Sequence, residues 1–258
     1  MQAIIDHIVN WLEAYKKQAS STGFVVGISG GIDSALSSTL CALTGAPTLC
    51  VTLPIRQGSA EYERAQAHLL DLKSRFSNVQ VFEIDLSNSF SSLENAMPFK
   101  VSEQPLAMAN TRSRLRMATL YALAQANNCL VVGTGNKIED FGVGFFTKYG
   151  DGGVDLSPIA DLYKTEVFKL AKALRVIDAI QQAAPTDGLW EDGRSDEDQM
   201  GATYPELEWA MQFHGNEQAL SARQQEVLRI YRRLNTANQH KMKPIPVCEI
   251  PASLKALF

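Results

Sequence analysis

Basic charge is in short supply in this 258-residue chain, where 24 Lys and Arg stand against 28 Asp and Glu for a formal net charge of −4. That balance leaves no electrostatic footprint for nucleic acid, and the absence of a polybasic run argues against a membrane surface. Small molecules are the expected partners. Cysteine is also scarce: Cys41, Cys50, Cys129 and Cys248 lie far apart, with no C-x-x-C pair and no His at ligand spacing, so neither a disulfide framework nor a zinc site is indicated. Three of them sit in apolar segments and are expected as buried, reduced thiols. Residues Met1 to Ser20 form an amphipathic helix pattern (Ile4, Ile5, Ile8, Val9, Leu12) with charges throughout. They read as neither signal peptide nor membrane span, which makes the cytoplasm the expected compartment. There are no internal repeats or low-complexity tracts, and 45% hydrophobic content over this length fits one large domain, residues 1–258.

A short apolar run, Phe24-Val25-Val26, leads into Gly27-Ile28-Ser29-Gly30-Gly31-Ile32-Asp33-Ser34 and then a helical pattern, Ala35 to Leu40. A strand, a glycine turn and a helix start form an anion cradle, because adjacent glycines admit close backbone approach and helix N-terminal amides point at the guest. The loop lacks the Lys of Walker A and the spacing of the dinucleotide fingerprint. Its Ser-Gly-Gly-x-Asp-Ser pattern resembles instead the pyrophosphate loop of enzymes that split ATP between its α and β phosphates. A plain strand-to-helix turn is the competing reading.

Strands are expected at Phe24–Ile28, Thr48–Leu53, Val79–Ile84 and Leu130–Gly133, with helices near Ser34–Leu43, Ala60–Ser74 and Leu106–Asn127. Apolar strands separated by helices indicate an α/β fold with a doubly wound, mostly parallel sheet covered on both faces. Its ligands would bind beyond the carboxyl ends of the strands, where the glycine loop and Gly133-Thr134-Gly135-Asn136 both open. After Gly150 the pattern turns mostly helical, with one long polar connection, Thr186 to Asp198; its stretch Glu191 to Asp198, acidic apart from Arg194, reads as a mobile solvated loop, with a second metal site as the alternative.

Four more clusters stand out. Phe145 to Asp155 runs from two aromatics through Lys148 into a glycine-rich turn, suited either to closing over a charged ligand or to a surface hairpin. Asp161 reads as a helix N-cap, which places Lys164 in a first turn where the macrodipole opposes a cation by about 0.3 to 1 kcal/mol. An anion, or Asp161 itself, must compensate. On the helix carrying Arg112, Arg114 and Arg116, the first and last share a face while Arg114 points away and asks for a partner. His240-Lys241 precedes Pro244-Ile245-Pro246.

Together, Ser29-Gly30-Gly31-Ile32-Asp33-Ser34, Asn110-Thr111-Arg112-Ser113-Arg114-Leu115-Arg116-Met117, Val132 to Glu139, Phe146 to Gly152 and His240-Lys241 resemble, in order and spacing, the ammonia-dependent NAD synthetases. The resemblance spans Phe24 to about Pro246. It implies an adenine nucleotide alpha hydrolase-like fold with a helical C-terminal part, and ATP-dependent amidation of deamido-NAD by ammonia through an acyl-adenylate. It further implies that Gly27, Ile28, Ser29, Gly30, Gly31, Ile32, Asp33 and Ser34 bind ATP along with Thr134, Lys164 and Thr186, and that Asp33 and Glu139 hold Mg²⁺. Arg114, Lys148, Asp155, His240 and Lys241 would hold deamido-NAD, and Asp151 is the residue to watch in the ammonia step. At Thr186-Asp187-Gly188-Leu189-Trp190, Asp187-Gly188 stands where many relatives have a small Ala.

Glutamine-using relatives carry an amidase domain ahead of the loop, for which the residues before Ser29 leave no room, so free ammonia is the expected nitrogen source. A homodimer is implied as well. Two other readings compete. A tRNA-modifying enzyme of the same loop class would need a basic surface, and a non-catalytic ATP-binding module would have no use for Arg114, Lys148, Lys164 and His240-Lys241.

Overall fold

The computed structural model describes residues 1–56, 59–186, 188 and 195–255. At its centre β1 (Gly23–Gly27), β2 (Thr48–Thr52), β3 (Val79–Glu83) and β4 (Cys129–Val132) form a parallel sheet in the order β3-β2-β1-β4. All four expected strands are present, each shifted by no more than a residue at either end. Because the chain winds outward through β2 and β3 and then returns to the other side of β1, the sheet has a switch point between β1 and β4.

Alternation within β1 shows why this strand is central. Phe24 and Val26 face one apolar layer while Val25 faces the other, as the two-residue period requires. The first layer joins α1 (Gln2–Gln18), α2 (Ile32–Leu43) and α3 (Ser59–Arg75) to α6 (Lys164–Ala173) and α7 (Asp178–Gln181), through Leu12, Leu36, Leu40, Leu72 and Leu170. Opposite them, α4 (Ser87–Ala96) and α5 (Pro105–Ala126) pack Phe90 and Met108 against Leu49 and Val51.

Beyond residue 195 come α8 (Asp196–Met200), α9 (Tyr204–Gln212), α10 (Ala222–Met242) and α11 (Ala252–Lys255), with a 3-10 turn at Glu217–Ala219; another such turn, Val101–Glu103, precedes α5. α8, α9 and α10 share a separate core with the π-helical turn Ile138–Val143, built on Ile138, Met200, Leu207 and Val227. The expected helical C-terminal part therefore closes back onto the segment that follows β4. Cys41, Cys50 and Cys129 are buried free thiols and Cys248 is exposed. Among the described residues no helix is long and apolar enough to cross a membrane.

Two local expectations are corrected. Asp161 does not cap α6; Tyr163 holds the N-cap position and its N–H donates to Glu166 Oε2 at 2.9 Å, while Asp161 pairs with Lys137 Nζ at 2.8 Å. The acidic connection is not loop to its end, because Ser195 caps α8 by accepting from the Asp198 N–H at 3.1 Å. Asp196, Glu197 and Asp198 thereby fill a first helical turn, where negative charge complements the macrodipole. Residues 187 and 189–194 of that connection lie outside the described residues.

Candidate active site

Past the carboxyl end of β1 the glycine loop folds over its own hydroxyls. Ser29 Oγ lies 3.1 Å from Ser34 Oγ and accepts from the Gly31 N–H at 3.2 Å, and Ser34 Oγ donates to the Gly31 carbonyl at 3.0 Å. Gly31 is the N-cap of α2 and no side chain caps that helix, so its first amides are left to face an incoming anion. Gly30 holds φ +84°, and a Cβ there would sit 2.3 Å from the Glu61 carbonyl oxygen of α3. The loop is thus wedged between α2 and α3 in a shape that only glycine permits.

The loop forms one wall of a cavity of about 590 Å³ at the switch point, which Thr134, Glu139, Lys164 and Thr186 also line. All of the residues expected to contact ATP are brought together here. Lys164 is 3% exposed, and its Nζ lies 2.5 Å from Asp33 Oδ2 and 3.1 Å from Glu139 Oε1. Burial works against its charge, but Asp33 and Glu139 more than offset that and hold its pKa above the usual lysine value. Of the two compensations the sequence left open for this lysine, the structure chooses an anion from elsewhere in the chain over Asp161.

Several side chains in this knot were not singled out from the sequence. Asn136, fully buried, donates to Asp33 Oδ1 at 3.3 Å and accepts from the Ile138 and Glu139 amides at 3.1 and 3.2 Å. It ties the two loops of the switch point together. Tyr204 donates to Glu139 Oε1 at 2.5 Å, and Glu208 receives both the Thr165 amide and hydroxyl at 3.0 and 2.8 Å, which fixes the start of α6. Tyr204 and Glu208 are remote in sequence and carry no pattern that points to Glu139 or Thr165; Asn136 did stand within a quoted motif.

Asp151 lines the same cavity and a smaller one of about 170 Å³ behind it, which also touches Asp140. Its Oδ1 accepts from Ser113 Oγ at 2.7 Å and from the Thr147 N–H at 3.0 Å. Although the residue as a whole is exposed, desolvation of its carboxylate against the surrounding wall raises its pKa above the usual carboxylate value, in opposition to these hydrogen bonds. Burial and the neighbouring carboxylates Glu139, Asp151 and Asp33 push Asp140 up to about 8.

Residues expected to hold the dinucleotide are placed differently. Of these, Lys241 reaches the main cavity, donating to the Gly144 and Phe146 carbonyls at 2.6 and 2.8 Å. Arg114 is exposed and donates to the Lys148 carbonyl at 3.3 Å, and Lys148 Nζ donates to the His240 carbonyl at 2.5 Å, so these three form an outer cluster. Asp155 stands apart, accepting from Tyr121 Oη at 3.0 Å and the Val131 N–H at 2.8 Å. It is Arg116, not Arg114, that lines the cavity.

A family model described as NAD synthase matches residues 4–245. The NH(3)-dependent NAD(+) synthetase of Syntrophomonas wolfei is 37% identical over 258 residues, covering 98% of each chain. Among solved structures, the NMN synthetase of Francisella tularensis superposes with a TM-score of 0.85 at 33% identity, over 97% of this chain and 98% of that one. The NAD+ synthetase of Burkholderia pseudomallei does so with a TM-score of 0.70 at 25% identity, over 94% and 90%.

Proposed function

The chain belongs to the NAD synthase family, and on that premise we propose how its residues carry out the ATP-dependent amidation of deamido-NAD by ammonia. It is a ligase that forms a C–N bond. A carboxylate does not react with ammonia at neutral pH, so the nicotinate carboxylate is first activated. Its oxygen attacks the α-phosphorus of ATP, the bond to the bridging oxygen breaks, and pyrophosphate leaves into the amides of Gly30 to Ser34. Ammonia then attacks the acyl carbon of the adenylate, the bond to AMP breaks, and one proton is lost from nitrogen. Asp151 is assigned to that second step, since its Oδ1 is held by Ser113 and Thr147 while the carboxylate borders both cavities.

The observation that carries this reading is the convergence of the glycine loop and the Asp33–Lys164–Glu139 knot on one cavity. Asp33 and Glu139 already share a cation, and a pair of carboxylates is a hard-oxygen donor set suited to Mg²⁺, which fills its other positions with phosphate and water. Bound there, Mg²⁺ would offset the charge of the departing pyrophosphate.

We place the whole chain, residues 1–258, in one catalytic domain acting in the cytoplasm as a homodimer. Support for the dimer is the outer position of Arg114, Lys148 and His240, where a second copy would complete the dinucleotide groove; an active monomer by light scattering would contradict it. A second acceptor is supported by the likeness to an NMN synthetase: nicotinic acid mononucleotide needs less of that outer surface. The deciding assay follows NAD and AMP chromatographically with ATP, Mg²⁺ and deamido-NAD, comparing ammonium chloride with glutamine. Equal NAD and AMP with ammonium alone is expected. Repeating it with the mononucleotide gives the ratio of kcat/KM for the two acceptors.

A further inference from the structure

Two arginines in the cavity wall stand outside any ion pair. Arg64 on α3 and Arg116 on α5 both line the cavity and are partly buried, and among the described residues neither forms an ion pair. Each is tethered in the same manner, through Nε to a main-chain carbonyl: Arg64 to Gly30 at 3.3 Å and Arg116 to Leu53 at 3.1 Å. A guanidinium carries five N–H donors in a planar fork, so this anchoring fixes its plane and leaves the two terminal NH₂ groups for a ligand. Enclosing a charge that no ion pair engages is costly. Burial and the nearby Arg112 lower the pKa of Arg116 to about 10, with Asp151 and Glu61 opposing them from a distance, which still leaves it fully charged at neutral pH.

The other cations of the wall are already committed. Lys164 is engaged by Asp33 and Glu139, and Lys241 by two carbonyls. ATP brings about four negative charges, while a helix N-terminus supplies only about half a positive one. The two tethers also mark separate places. Gly30 belongs to the glycine loop itself, whereas Leu53 follows β2, the strand whose Val51 carbonyl receives the Ile28 N–H at 2.8 Å just before the loop.

We propose that Arg64 and Arg116 form a two-arginine clamp on the ATP phosphates, with Arg64 gripping the pyrophosphate that leaves and Arg116 the phosphoryl group that stays on the adenylate. The clamp rests on the ligase reading given above and adds to it two anion-binding residues. Charge-assisted hydrogen bonds from a fork to phosphate are strong and directional, and Arg64 would meet negative charge as it develops on the departing oxygen.

Calorimetry with inorganic pyrophosphate plus Mg²⁺, and separately with AMP, tests the division of labour. Arg64→Gln is expected to weaken pyrophosphate binding by about 10- to 100-fold and to leave AMP binding within about twofold. Arg116→Gln is expected to do the converse. Each variant carries its own folding control, because the probe it should not affect must still bind; Arg64→Lys and Arg116→Lys, which keep charge and lose the fork, should be intermediate. Wild-type affinity for both probes in both variants overturns the clamp, as does an Arg116→Gln that loses deamido-NAD binding and keeps AMP. Wild-type protein that makes no AMP from ATP and deamido-NAD overturns the ligase reading instead.

Discussion

Lys164 Nζ lies 2.5 Å from Asp33 Oδ2, joining the first turn of α6 to the first turn of α2 across 131 residues of sequence. With the lysine side chain 4% exposed and the carboxylate 16%, solvent screens this pair little. Removing one partner strands a buried charge, which typically costs about 3 to 5 kcal/mol. Lys164→Met is therefore expected to lose that much stability in urea unfolding. Adding Asp33→Asn to it should recover part of the loss; a single variant within about 0.5 kcal/mol of wild type would show that the pair carries no stability.

The loop backbone makes an equally sharp demand. Alanine at Gly30 would keep a positive φ, at about 1 to 3 kcal/mol, and drive its Cβ into the Glu61 carbonyl at 2.3 Å. Gly30→Ala is expected to push α3 away from the loop, lowering Tm and weakening ATP binding together. Gly45 has φ +74° with nothing within 4 Å of a built Cβ, so Gly45→Ala should lower Tm less and leave ATP affinity unchanged. Equal effects of the two on ATP binding would sink the argument.

His68 makes acid stability a test of the packing behind the loop. It is fully buried between α2 and α3, its Nε2 2.9 Å from Ser38 Oγ, and burial lowers its pKa to about 4. Unfolded, the ring has a pKa near 6.5. As pH falls the unfolded chain takes up the proton first, so the neutral ring's contribution is complete above about pH 6.5 and is lost on the way down to about pH 4, up to about 3 kcal/mol. Unfolding free energies measured at steps across that range should decline accordingly. His68→Leu should flatten the slope, and an unchanged slope would assign the acid sensitivity to other groups.

Much of this was legible before any coordinates because the signals were local. The order of apolar runs implied the parallel sheet, and Gly30-Gly31 next to Asp33 implied the anion loop. What stayed hidden depends on long-range packing. Tyr204 meets Glu139 only because α9 folds back onto the π-helical turn, and helical periodicity could separate Arg114 from Arg116 without saying which side meets the cavity. Arg114, facing away from its neighbours, does find a partner in the Lys148 carbonyl, but the cavity lies on the Arg116 side, where Leu53 supplies the tether. The cap at Asp161 failed for a similar reason: Lys137, adjacent in the fold, takes its carboxylate.

Asp151 can be tested apart from binding because amidation has two halves. In Asp151→Asn the remaining oxygen can still accept from Ser113 and Thr147, so the turn should keep its shape, but an NH₂ donor replaces the second acceptor oxygen. Incoming ammonia offers donors, and the amide cannot receive its proton. Adenylation, followed by deamido-NAD-dependent exchange of labelled pyrophosphate into ATP, is expected to stay within about threefold of wild type, while NAD formation falls by about 100-fold or more. Since desolvation raises the Asp151 pKa, the wild-type rate of the second half, compared at constant free ammonia, should climb with pH through a limb lying above the ordinary carboxylate range, as the acid form gives way to the carboxylate. The asparagine variant should lack that limb. Equal loss of both halves, or a limb that survives the substitution, would move Asp151 out of the ammonia step and leave it as a support for the glycine-rich turn.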